Sequence, residues 1–94
     1  MAVYVDMLID YGWKLGPSCH MIADSEDELH SLAQSIGLKR SWFQNDDKHS
    51  LPHYDLVESK RKLAISKGAV EIDRYELSRR LKEHWKNLKQ QSNG

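Results

Sequence analysis

Residues 2–10 read Ala-Val-Tyr-Val-Asp-Met-Leu-Ile-Asp, so Val3, Val5, Met7 and Ile9 alternate with Tyr4, Asp6, Leu8 and Asp10. Successive side chains of an extended chain point to opposite faces. The stretch is therefore expected to be a strand with apolar residues, β-branched Val3, Val5 and Ile9 among them, on one face and a mixed set on the other. Gly12, Gly16 and Pro17 then punctuate a loop over residues 11–17. Residues 19–23 are apolar apart from His20 and fit a second strand.

A helix follows, and its start is well marked. Ser25 and Glu28 form an S-x-x-E capping pair. Leu29, Leu32, Ala33 and Ile36 recur at helical spacing, so one face is expected to be buried, and Gly37 is the expected stop. Residues 39–44 suggest a short turn carrying Trp42 and Phe43 inward, and residues 45–52 a polar loop. Asp55 fits as the cap of a second helix running to Lys67 and stopping at Gly68, with Leu56, Leu63 and Ala64 on its buried side. Residues 69–72 form the third expected strand. Asp73 and Glu76 cap the last helix, where Leu77, Leu81, Trp85 and Leu88 share a face. The expected fold is α/β, a small three-stranded sheet covered by three main helices in the order β-β-α-α-β-α. Residues 1–89 are expected to form a single domain, with 90–94 as a frayed tail.

The composition of the 94 residues narrows the function classes. Hydrophobic residues at 39% and charged residues at 30% indicate a globular chain rather than a disordered one. The single cysteine, Cys19, excludes an intramolecular disulfide and a multi-cysteine zinc site. No run approaches the roughly 20 apolar residues of a membrane helix, and Asp6 interrupts the first apolar run before a secretory core forms. A cytoplasmic, membrane-free protein is expected. Net charge is zero, but residues 1–57 carry −5 and residues 58–94 carry +5. That split can be self-complementary either within the fold or between subunits of a homo-oligomer, and it argues against a strongly basic nucleic-acid binder.

Several pieces of the chain resemble a small bacterial and phage family known as domain-of-unknown-function family 4031. They are Ala2-Val3-Tyr4-Val5-Asp6, then His20 through Asp24, Glu28-Leu29-His30, Gly37-Leu38 and Arg40. Trp42-Phe43-Gln44, Pro52-His53-Tyr54-Asp55-Leu56, Arg61 and Lys67-Gly68-Ala69 continue the match, which spans residues 2 to about 72. Relatives often carry an Arg-Trp pair before the histidine matching His20, where this chain has Gly16-Pro17-Ser18-Cys19. The resemblance implies no activity.

The candidate site residues lie outside the apolar pattern. His20, among hydrophobic neighbours, is either a core imidazole satisfied by backbone or a pocket group suited to proton transfer or ligation. His30 borders the apolar stripe of the first helix. His53, Tyr54 and Asp55 follow Pro52 at an expected helix start, whose free N–H groups favour anions; Asp55 as a simple cap is the plainer reading. Arg40 and Arg61 offer guanidinium forks for phosphate or carboxylate, and Gln44 an amide. Asp6, Asp24 and the three histidines raise a metal site, but no H-E-x-x-H motif or tight ligand spacing accompanies them, and no metal ligands are assigned. Arg79, Lys82, Lys86 and Lys89, opposite the leucines of the last helix, read as a solvated face and leave nucleic-acid contact as a weaker alternative. The expected function is recognition of a phosphate-bearing or nucleotide-like small ligand by His20, Arg40, Gln44, His53, Tyr54 and Arg61. A metal-dependent phosphoesterase or nuclease, and a protein-interaction or assembly module, are the alternatives.

Overall fold

The structure is a computed structural model that describes residues 2–12, 14, 16–45 and 51–92, the last nine of these by backbone alone. Strand β1 (Val3–Val5) pairs antiparallel with β2 (Ser18–Ala23), and β2 pairs antiparallel with β3 (Tyr54–Val57). On the other side β1 pairs in parallel with β4 (Val70–Glu71). The sheet is thus four-stranded and mixed, in the order β3-β2-β1-β4. Helices α1 (Glu26–Ser35), α2 (Glu58–Ser66) and α3 (Arg74–Ser92) complete the order β-β-α-β-α-β-α.

The expected three-stranded sheet is corrected to four strands. Residues 54–57, where Asp55 is expected to cap the second helix, are instead β3, and the helix starts at Glu58. No turn separates the two, because Val57 ends the strand and is itself the extended N-cap residue of α2. Glycine and proline, the residues that mark such junctions, are absent between Tyr54 and Glu58.

The helix caps and the Gly37 stop act as their chemistry dictates, whereas Leu63, expected on the buried side of the second helix, is exposed and Ile65 packs against the core instead. The Ser25 hydroxyl accepts from the Glu28 N–H at 3.2 Å and donates to the Glu28 carboxylate at 2.9 Å. Asp73 accepts from the Glu76 N–H at 2.8 Å. Gly37 takes a φ of +84°, which lets the Leu38 N–H reach back to the Ala33 carbonyl at 2.9 Å and close α1. A 3-10 turn over Arg40–Trp42 presents Phe43 to the core, whereas Trp42 is turned outward and is half exposed. Lys39 lies 5.7 Å from its ring centroid. The expectations for Trp85, Lys86 and Leu88 to Lys89, and for residues 46–50 of the polar loop, fall outside the described side chains.

The two faces of the sheet differ in chemistry because the strands alternate. Val5, Cys19, Met21, Tyr54 and Leu56 are buried on one face with Leu29, Ala33 and Ile36, and with Ala64 of α2. On the second face stand Tyr4 and Asp6 of the first strand region, Ser18, His20 and Ile22 of β2, and His53 and Asp55 of the third. Helix α3 lies against this face. The Arg80 guanidinium sits 3.9 Å over the Tyr4 ring and 3.6 Å from Asp24, and Leu77 and Leu81 approach Ile22. No helix among the described residues is long and apolar enough to cross a membrane.

Candidate metal centre

The second face carries a polar row across three adjacent strands. The Asp6 N–H donates to the His20 carbonyl at 3.1 Å, and His20 is the register partner of Asp55. His53 precedes Asp55 by two residues, so the pleat puts both on the same side. An isolated bridge between Gln44 and His53 brings the Gln44 side chain to the row from its edge.

Both histidines are held by their Nδ1 atoms. The buried Asp6 carboxylate accepts from the His20 backbone N–H at 2.6 Å with one oxygen and contacts His20 Nδ1 at 2.8 Å with the other. His53 Nδ1 lies 2.7 Å from the Leu51 carbonyl oxygen. A carboxylate and a carbonyl oxygen only accept, so each Nδ1 carries a proton, and Nε2 is the nitrogen through which each ring would ligate an ion, in place of any proton held there. Both Nε2 atoms turn to Asp55 Oδ1, at 3.9 Å from His20 and 3.5 Å from His53. The rings meet edge to face, with centroids 5.1 Å apart.

Asp55 is positioned as firmly. Gln44 Nε2 donates to its Oδ2 at 2.6 Å, leaving Oδ1 to face the imidazoles. The His53 hydrogen bond, aided by that of Gln44, holds its carboxyl below the usual carboxylate range against the opposing effect of burial. One donor atom from each of His20, His53 and Asp55 lies within 4.8 Å of the others. Ligands tetrahedrally placed at about 2.0–2.1 Å from zinc stand roughly 3.4 Å apart, so a small inward movement would close the set on an ion. Each member already has a supporting partner on its non-ligating atom, the arrangement that orients metal-binding histidines and carboxylates.

The six residues expected to share one pocket are divided by the sheet. His20, Gln44 and His53 come together on the second face. Tyr54, whose neighbours His53 and Asp55 point the other way, is buried in the core, where its hydroxyl lies 2.9 Å from His30 Nδ1. Burial pushes its phenol up, opposed by the charge of Arg40. Arg40 belongs to that side too: its guanidinium is 5.0 Å from the Phe43 ring centroid, and it lines a hollow with His30, Gln34, Leu38 and Tyr54. Arg61 is a brace instead of a ligand fork. Its Nε donates to the Asp6 carbonyl at 2.9 Å and its terminal nitrogen to Glu71 at 3.1 Å, with only 12% of the side chain exposed. Strand alternation and this bracing thus place Arg40, Tyr54 and Arg61 apart from His20, Gln44 and His53.

Asp24 is also apart from the histidines, taken up by the Ala2 N–H at 2.8 Å and by the Tyr4 hydroxyl at 3.1 Å. Cys19 is buried in the core, and burial, with the nearby Asp6 charge adding to it, pushes its thiol up to about 12. It remains a protonated, inert packing residue. Asp55, expected as a helix cap, belongs instead to the polar row. Its signal was the alternation of polar His53 and Asp55 with apolar Tyr54 and Leu56.

The comparisons with known proteins place the chain without assigning it a chemistry. No curated protein and no solved structure matches it. Residues 3–84, which include every residue of the polar row and its supports, match the family described as Protein of unknown function (DUF4031), and the chain belongs to that family.

Proposed function

We propose that this protein binds a divalent transition-metal ion through His20 Nε2, His53 Nε2 and Asp55 Oδ1, and uses the ion's remaining positions to polarise a small substrate for hydrolysis. The observation that carries the reading is the shared orientation of the two rings. Each Nδ1 is committed to an acceptor, and each Nε2 faces the same carboxylate oxygen. Imidazole nitrogen with one carboxylate suits zinc, iron or nickel better than magnesium or calcium, which favour all-oxygen shells. Three protein ligands fit an ion with open coordination positions, the pattern of catalytic instead of structural sites. A phosphate ester is a fitting substrate class, since the ion would supply the positive charge that Arg40 and Arg61 place elsewhere.

Titration calorimetry with zinc on the wild type, His20→Ala and His53→Ala tests the binding. One equivalent should bind to the wild type, and each variant should weaken it by more than about 100-fold. Absence of stoichiometric binding, or an undiminished affinity in both variants, would remove the metal. Cleavage of an activated phosphodiester that a chelator abolishes supports the hydrolase; metal binding without any turnover leaves a binding module alone.

A second reading rests on the Asp6–His20 contact, which resembles the orienting half of a general-base pair. It requires turnover that survives complete metal removal and is lost in Asp6→Asn. The facing pair of His53 and Asp55 favours the metal, because a lone base needs neither.

A further inference from the structure

Beside the polar row lies a cleft of about 90 Å³ lined by His20, Ile22, Leu51, His53, Leu77 and Leu81. Of the six described residues in its walls, four are aliphatic and the other two are the imidazoles. Helix α3 forms its roof, fixed by the Arg80 contacts to Tyr4 and Asp24 that neighbour Leu77 and Leu81 in the helix.

Resting on the metal reading, we infer that the substrate carries a short apolar group next to its metal-binding atoms, and that this group sits in the cleft between the histidines and α3. The size follows from the volume. A cavity of about 150 Å³ takes a benzene ring and a water occupies about 30 Å³, so this cleft holds roughly three heavy atoms. The chemistry follows from the walls. Among the described residues, no hydrogen-bonding side chain other than the two imidazoles lines it, so a nucleobase placed against them would lose its partners to water without replacement. A small alkyl chain loses nothing and is desolvated on entering. The substrate class is therefore a short-chain aliphatic ester, amide or phosphoester, and a nucleoside is disfavoured as the group in the cleft.

The test uses alkyl hydroxamates, which hold zinc by their oxygens, on the full chain loaded with zinc. Affinity should rise about three- to fourfold per methylene from acetohydroxamate to butyrohydroxamate, then level off for octanohydroxamate and benzohydroxamate. Leu77→Ala, which removes a wall, and Leu81→Trp, which fills the cleft, should each flatten the series. Should either variant fail to fold, the wild-type series decides alone. Acetohydroxamate binding with no dependence on chain length overturns the cleft and leaves the metal centre standing. A protein that takes up no zinc overturns both.

Discussion

The two faces of the sheet are written in the same strands, one residue apart, and they do opposite work. On one, Val5, Met21, Tyr54 and Leu56 pack beneath α1 and α2 with almost no exposed surface. On the other, Asp6, His20, His53 and Asp55 keep polar atoms within reach of each other under the edge of α3. The first face is fixed by area removed from water and tolerates exchange among apolar residues of similar volume. The second is fixed by paired donors and acceptors, where each atom has one suitable partner. A change on the first should therefore appear in stability, and one on the second in ligand affinity.

The largest separation should come from two neighbours in β3. Leu56→Ala removes a fully buried side chain and should cost about 2–5 kcal/mol in denaturant unfolding, whereas Val57→Ala on the half-buried side should cost about 1 kcal/mol or less. Equal losses would mean that the faces are not distinguished as described. Next is Asp6→Asn, where an amide cannot accept from both His20 Nδ1 and the His20 N–H. Zinc affinity should drop about 10- to 100-fold with the ligand set formally intact. An unchanged affinity would show that His20 needs no orienting partner.

The smallest effect is one of pH. Asp55 is held below the usual carboxylate range, chiefly by His53 and then by Gln44, so its native form is the ionised one. The stability this confers is fully present above the ordinary aspartate value of about 3.9 and is lost as pH falls through the lower native value. Gln44→Ala should shrink that acid-side loss, measured as the change in unfolding midpoint between pH 5 and pH 3. A loss of the same size in the variant would show that Gln44 does not stabilise the carboxylate.

The comparison also explains which parts of the molecule could be read from the sequence. Both capped helix starts and the glycine stops declare themselves through local chemistry and are present, whereas of the strand expected over residues 2–10 only Val3–Val5 forms, with Ile9 an isolated bridge to Ser18. Strand β3 was hidden because only four residues alternate before α2 begins, and Asp55 and Glu58 imitate a helix start. The candidate site was legible in part. His20, Gln44 and His53 stand out as polar residues in apolar company, but their sharing a face depends on register, and register is set by pairing between strands about 35 residues apart in the chain. Misreading β3 as helix sent Tyr54 to the wrong side and reduced Asp55 to a cap. Arg61 misleads for a different reason: nothing in its sequence surroundings reveals that a backbone carbonyl 55 residues away occupies it.

The most direct measurement is of the histidine ring nitrogens by NMR, with nitrogen-15 in the imidazoles and zinc added stepwise. His20 and His53 should start as rings protonated at Nδ1, and only their Nε2 signals should move as zinc reaches one equivalent. His30, on the far side of the sheet with its Nδ1 against the Tyr54 hydroxyl, should not respond. Signals of His20 and His53 that stay in place through the titration, or a response at His30 as large as theirs, would contradict the assignment of one sheet face to packing and the other to metal.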